Sequence, residues 1–285
     1  MVLESLTTPF KAKKHPTEMF FFGLLFASIA MFLGLWIFKD QVSLVMVFLT
    51  VMIAVPLMYL TMKHEEQKDI EIHSEKLLLK EHSRVLSFFI FLFLGITIAF
   101  SLWYLFLPHS LTNSVFNTQI QTIKAINSRI TGLAVGSITA SDAFCQIFSN
   151  NIKVLLFCIF FSFFFGAGAI FILTWNASVI AAAIGSFFKN NIVSNSLTGI
   201  TRFGGYFHIF SISILRYFIH GIPEILGYFT AGLAGGIISV AVIRHDFGTK
   251  TFKHILYDSL DLIIISVALI FIAALLEVFV TPIFF

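Results

Sequence analysis

The apolar positions of this chain fall into long unbroken runs. A membrane-spanning helix needs about 20 mainly apolar residues. Met19 to Phe38 meets that length, as do Val42 to Met62, Val85 to Leu107, Ile152 to Leu173 and Leu262 to Phe284. The first two are joined by Lys39-Asp40-Gln41, which forces a tight helical hairpin. Pro56 lies inside the second and predicts a kink of the kind that membrane helices tolerate.

Between the fourth and last of these runs the pattern is irregular. Ala177 to Phe188 is apolar but short for a span. Tyr206 to Ile243 is apolar but too long for one span at about 1.5 Å per residue. Gly221 and Pro223 interrupt it, which predicts a half-helix (Tyr206 to Ile219), a break, and a full span (Ile222 to Ile243). Such interruptions mark re-entrant or discontinuous helices, whose backbone must be covered by protein or line a water cavity. The expected fold is all-α: a polytopic transmembrane bundle of about six to seven spans, some short or broken, with amphipathic interfacial helices.

The polar positions add two segments. Ile120, Ile123, Ile126, Ile130 and Leu133 recur every three or four residues among Gln119, Gln121, Lys124 and Asn127. That is an amphipathic helix, lying in the interface or capping the bundle. A second short helix, Ser141 to Ser149, is expected to start at a Ser141-Asp142 cap and end at Asn150-Asn151. Residues 63–84 carry five basic and six acidic residues, with Glu71 and Glu75 ahead of Lys76 and Lys80 at helical ion-pair spacing. This predicts a solvated helical extension of spans two and three, or a docking site for a partner. His64, His73 and His82 stand nine residues apart, two and a half turns, so alternate members face opposite sides and form no metal cluster.

Composition narrows the class further. Of 285 residues, 58% are hydrophobic and 12% charged, Phe alone contributing 37, and mean hydropathy is +0.95. Soluble domains carry about a quarter charged residues, so a soluble globule, a disordered chain and a nucleic-acid module are excluded. Cys145 and Cys158 are too few for a disulfide framework, and Cys158 lies too deep in an apolar run to be expected to pair with Cys145. No cleavable signal peptide is expected, since the first apolar run has full span length and lacks a small-residue cleavage site.

The net charge of +3 matters less than where the charges lie. Lys11, Lys13 and Lys14 precede the first span; Lys63, Lys68, Lys76, Lys80 and Arg84 follow the second; Arg244, Lys250 and Lys253 precede the last. The positive-inside rule places these segments, and the N-terminus, in the cytosol. The C-terminus then falls outside if residues 177–243 make an even number of crossings, although Lys189 and Arg202 fit an outside loop poorly.

Ionisable groups inside spans mark function more often than fold. Here they are Arg216, His220, Glu224 and Glu277, with His208 and Asn176 as polar company. His208, Arg216, His220 and Glu224 share an i, i+4 register and would form one stripe on an unbroken helix. If the helix breaks at Gly221 to Pro223, His220 and Glu224 face each other across the gap. The stripe reads either as an ion or proton relay or solute contact, or as a structural tie, with Glu224 accepting free N–H groups at a helix start. His220 with Glu224 supplies at most two metal ligands, so no metal site is expected. Gly227, Ala231, Gly235 and Ser239 repeat every four residues, beside Gly232 and Gly236. This small-residue face packs closely within the chain or forms a homodimer contact. Gly166, Gly168 and Gly185 are candidate partners for it. Zinc, phosphate-loop, serine-hydrolase and Cys-x-x-Cys signatures are missing, so neither an enzyme nor a cofactor is expected. Asn176-Ala177-Ser178 matches a glycosylation sequon but abuts a span.

His220-Gly221-Ile222-Pro223-Glu224, followed by Gly227 and Ala231-Gly232-Leu233-Ala234-Gly235, resembles the hallmark of the stage II sporulation protein M family, in which His-Gly-x-x-Glu opens a glycine-rich span. Asn150-Asn151 before the fourth span, Asn176 after it, and Glu277 with Thr281-Pro282 in the last span add to the resemblance in the right order. Two positions depart from the family pattern: Ile219 stands where a proline usually precedes the His, and Ala177 rather than glycine follows Asn176. The resemblance covers residues 85–285, a membrane core; residues 1–84 are an N-terminal hairpin with a charged loop, an extension expected in archaeal relatives. It implies an integral membrane protein acting with partners at a membrane. The expected function is a non-catalytic remodelling or scaffolding subunit of the cell membrane. The alternative is a channel or transporter for an ion or small solute. The expected partners are the lipid bilayer and a second copy or other membrane proteins, with no nucleic acid.

Overall fold

The computed structural model describes residues 16–71, 75–132, 139–165, 169–194, 201–243 and 248–284. Its helices are α1 (Glu18–Ile37), α2 (Val42–Glu71), α3 (Glu75–Phe106), α4 (His109–Val115), α5 (Asn117–Gly132), α6 (Ala140–Phe165), α7 (Ala169–Ser194), α8 (Thr201–Ile243) and α9 (Lys250–Leu275). A π-helical turn, Leu276–Val280, and the short α10, Thr281–Phe284, complete the chain. Seven of these helices are long and apolar enough to cross a membrane. The described residues contain no strand, and the protein is an all-α, multi-pass membrane bundle.

Side-chain contacts fix the helix directions. In α1 and α3, Gly23 lies against Gly95, and further along both helices the Trp103 indole donates to Ser28 Oγ at 2.9 Å. These two helices therefore run parallel, with α2 returning between them. In α6 and α8, Ile159 and Ser162 meet Gly235, both near the helix ends. Phe144 and Phe148 at the start of α6 meet Phe271 late in α9, so α6 and α9 are antiparallel. The seven helices thus cross in strict alternation. The odd count puts the start of α1 and the end of α9 on opposite sides.

The α8 helix is the centre of the bundle: its apolar window is 83% buried and it touches α2, α3, α6, α7 and α9. Contact is close because the facing residues are small. A Cβ on Gly235 would lie 2.6 Å from the Ile159 carbonyl oxygen, one on Gly232 2.8 Å from Ala169 Cβ, and one on Gly227 3.0 Å from the Ile270 side chain. The small-residue face thus packs within the chain, against α6, α7 and α9. Phe229 stacks on Phe89 of α3, ring centroids 5.3 Å apart. A second glycine contact, unremarked in the sequence, joins α1 to α3. A Cβ on Gly95 would strike the Phe20 carbonyl oxygen, and one on Gly23 would sit 2.9 Å from the Ile96 nitrogen. By contrast the windows of α6 and of the last span are only 22% buried, and α6 presents Leu156, Phe157, Phe160 and Phe164 outward.

On the side where α3 ends, α5 closes the bundle. Gln119 is fully buried and donates from Nε2 to the Ser43 carbonyl at 3.0 Å and to Ser178 Oγ at 3.2 Å. The amphipathic helix is therefore a cap on the protein at its start; the side chains of residues 126–138 lie outside the described set. Lys189 near the end of α7 sits 4.9 Å above the Tyr104 ring.

Several expectations are corrected. The 206–243 segment is not a half-helix, break and span: α8 is one continuous helix of 43 residues with Pro223 inside it. Proline removes one backbone N–H, and membrane helices absorb that loss when neighbours cover the site. The fourth span is not Ile152–Leu173. Instead α6 ends at Phe165 and α7 begins at Ala169, so Ala177–Phe188 is the middle of a 26-residue helix and not a short one. Likewise Ser141–Ser149 is not a separate helix but the first part of α6, with Asn150 and Asn151 inside it. The Ser141-Asp142 cap is replaced by a capping box: Asp142 N donates to Thr139 Oγ1 at 3.2 Å, while Asp142 Oδ2 accepts from Thr139 N at 3.1 Å. Gly185 packs on the Tyr104 ring of α3 and not on the α8 glycines; Gly166 and Gly168 lie outside the described residues. Both cysteines are free.

Candidate intramembrane polar site

Because α8 does not break, Arg216, His220 and Glu224 occupy successive turns of one helix face, with Tyr228 continuing it. Their partners come from the last span and from α7. The Tyr228 hydroxyl, 1% exposed, donates to Glu224 Oε1 at 2.8 Å. His220 Nδ1 and Thr281 Oγ1 are 3.3 Å apart. Thr281 gives its own proton to the Leu276 carbonyl at 3.1 Å. Its oxygen is therefore left to accept from a His220 Nδ1–H, which selects that tautomer. The Arg216 guanidinium lies 5.2 Å from the centre of the Phe187 ring of α7, a cation–π contact.

Glu277 enters from the π turn. It lies within electrostatic range of Glu224 and of Tyr228. Two carboxyl groups from different helices thus share one neighbourhood, with the phenol bonded to Glu224. No ion pair reaches either of them among the described residues. The π turn is the one irregularity in the last span, and such turns are common at functional sites. The cluster lies toward the side capped by α5, because Thr281 is near the end of the last span.

The remaining residues singled out in the sequence sit elsewhere. His208 is exposed near the start of α8, two turns outward of Arg216. Asn176 is half-buried within α7 and does not open a helix. Since Ala169 of α7 meets Gly232, Asn176 is level with Ile225 beside Glu224. No hydrogen bond among the described residues joins it to the cluster. Gly221, although buried, lines a small apolar cavity between α3, α7 and α8, of about 20 Å³, with Phe93, Ile180 and Ile225 in its walls. Neither His220 nor Glu224 lines that cavity. Sequence reasoning missed Tyr228, whose i+4 spacing from Glu224 was the available signal, and Asn151, 6% exposed with no hydrogen-bond partner for its Nδ2. The described residues hold no group of three His, Cys, Asp or Glu side chains able to bind a metal.

The stage II sporulation protein M family model matches residues 86–282. That range begins within α3, contains the whole polar cluster, and leaves α1 and α2 outside. No curated protein and no solved structure matches the chain. With more than half of its length matched, the His220-Gly221-Ile222-Pro223-Glu224 segment included, the chain belongs to the stage II sporulation protein M family.

Proposed function

We propose that this protein is a non-catalytic subunit of the cell membrane that scaffolds partner proteins or remodels the bilayer around it. The observation that carries the reading is the close packing around α8. Glycine contacts and stacked aromatics fill the space around α8, and the cavity beside Gly221 is apolar and separate from the polar cluster. A conduction path needs polar groups lining a connected cavity. Meanwhile α6 exposes a row of large apolar side chains at 52–60%. This row is the surface on which lipid, a second copy or another membrane protein would sit. The orientation follows from charge: Lys63, Arg84, Lys250 and Lys253 lie on one side of the bundle, which is assigned to the cytosol with the N-terminus.

The test is twofold. Photo-crosslinking side chains placed at Phe157 and Phe160 should trap protein neighbours in native membranes, and recovery of lipid adducts alone would remove the scaffolding role. Purified protein in liposomes should pass no more protons or ions than empty liposomes. The transport reading is favoured by the ionisable face of α8, on which the Tyr228 hydroxyl donates to Glu224 and His220 meets Thr281. A flux abolished by Glu224→Gln would establish it in place of the scaffold.

A further inference from the structure

We infer that the outward face of α6 is a lipid-facing polar furrow: it draws phospholipid headgroups into the bilayer as far as Lys153, whose ammonium takes their phosphate, and so lets phospholipid pass between the leaflets. The inference rests on the bilayer-remodelling half of the proposed function and names the surface responsible.

The first ground is the side of α6 that carries the polar residues. Asp142, Gln146, Ser149, Asn150 and Lys153 lie on successive turns of one helix face, and all are exposed. The opposite face, with Asn151, Leu155, Cys158 and Ser162, is buried, and its Ser162 meets Gly235 of α8. The polar stripe therefore points away from the bundle, toward lipid. Among the described residues no hydrogen bond or ion pair reaches Lys153.

The second ground is depth, which two independent contacts fix. Ser162 Cβ lies 3.2 Å from a Cβ built on Gly235, and α6 and α8 run parallel. Lys153, nine residues before Ser162, is thus level with Leu226, beside the Gly227 that meets Ile270 of the last span. On the antiparallel α9, Phe148 meets Phe271, so Lys153, five residues further along α6, is level with Ser266. Both routes end near the middle of the last span, Phe252–Ile283. At least thirteen residues of that span remain on either side, about 20 Å of helix. That is farther than a lysine stem reaches by snorkelling. A charge held at such depth is accommodated by local thinning of the bilayer and by water and headgroups drawn inward.

Charge and shape select the occupant. A lysine ammonium complements a phosphate. On the side capped by α5, the stripe begins at the exposed Thr139–Asp142 capping box, so headgroups can enter it from the membrane surface. Beyond Lys153 the same face continues as exposed Leu156, Phe157, Phe160 and Phe164. Helices within this chain meet through glycine and alanine, and membrane helices generally pair through small residues. The bulky continuation of this face suits acyl chains better than a partner helix.

The experiment reconstitutes the full-length protein into phosphatidylcholine liposomes carrying a trace of fluorescent phosphatidylcholine. Dithionite quenching reads label reaching the outer leaflet, and back-extraction by albumin repeats the measurement without a reagent that could leak inward. The parent should expose label from both leaflets, whereas empty liposomes expose the outer leaflet alone. Lys153→Leu should slow exchange about tenfold or more, the scale of losing a hydrogen bond to a charged group, and Lys153→Arg should restore it. Lys153→Leu faces lipid, so its melting temperature in detergent should not fall below that of the parent. Exchange no faster than in empty liposomes, or equal in Lys153→Leu and the parent, would overturn the furrow. A photo-crosslinker at Asn150 should form phospholipid adducts in native membranes. A protein adduct there in place of lipid would also overturn the furrow, and would leave the scaffolding role standing.

Discussion

Gly235 and Gly221 lie on the same helix, and the structure predicts opposite signs for the same change. A Cβ on Gly235 would stand 2.6 Å from the Ile159 carbonyl oxygen, 3.2 Å from Ile159 Cα and 3.2 Å from Ser162 Cβ. Carbon and carbonyl oxygen approach to about 3.3 Å at closest, so α6 and α8 must separate by roughly 0.7 Å. The obstructing atoms are backbone, which no rotamer change can clear. Forced overpacking of this kind costs about 1–3 kcal/mol. Alanine regains about 1 kcal/mol through helix propensity, and because the obstruction is backbone the cost falls in the upper part of that range, leaving Gly235→Ala destabilised by up to about 2 kcal/mol. Leucine adds bulk against the same atoms, so Gly235→Leu should lose the α6–α8 contact altogether. A Cβ on Gly221 meets nothing within 4 Å. There the propensity gain stands unopposed, and Gly221→Ala should stabilise by about 0.4–1 kcal/mol. Both variants can be followed by intrinsic fluorescence during thermal unfolding in one detergent. Equal melting temperatures for Gly235→Ala and the parent, or a loss in Gly221→Ala matching that of Gly235→Ala, would refute the packing argument.

Three further outcomes are expected. Gly95→Leu should destabilise the α1–α3 contact at least as severely as Gly235→Leu does α6–α8, because its Cβ strikes the Phe20 backbone; a folded, fully stable variant would show that α1 is not docked there. Tyr228→Phe removes the hydroxyl from Glu224 and should cost about 0.6–1.7 kcal/mol, the range for hydrogen bonds between membrane-embedded side chains, read as a shift in denaturant midpoint; no shift would mean the bond does not contribute. Cysteines at Asn113 and Gln121 should react with an impermeant maleimide on intact cells while one at Gln67 should not, and labelling of Gln67 would invert the orientation.

Most of the bundle was legible from run length alone, because hydrocarbon thickness sets a minimum that few soluble segments reach. Helix α1 ends where its apolar run stops, while α2 continues to Glu71 and α3 begins at Glu75, the helical extensions expected from the ion-pair spacing. The α6–α7 boundary was lost because Gly166-Ala167-Gly168 is apolar and the aromatic run continues to either side of it. Hydropathy sees no gap there, and the run length from Ile152 made a false span. Asn150, Asn151 and Asn176 read as helix ends in the sequence, because amide side chains usually cap. In α6 and α7 they sit inside helices.

The polar cluster was half legible, and the reason lies in the geometry of the last two helices. The i, i+4 stripe of Arg216, His220 and Glu224 follows from helical spacing once α8 is continuous. Gly221 and Pro223 argued for a break, yet proline forfeits a single bond, and a helix enclosed by five others has little to gain by opening. Glu277 could be named as an ionisable group in a span, but not placed. Its position depends on the π turn at Leu276–Val280. A π turn holds one residue more than an α turn, which re-phases everything beyond it by about 100°. That rotation sets the phase of Thr281, which meets His220. The turn is held by Thr281 donating to the Leu276 carbonyl, so the residue that anchors the irregularity is also the one that reaches across to α8. Local hydrogen bonding and the tertiary contact select the same geometry, and only the assembled helices reveal it.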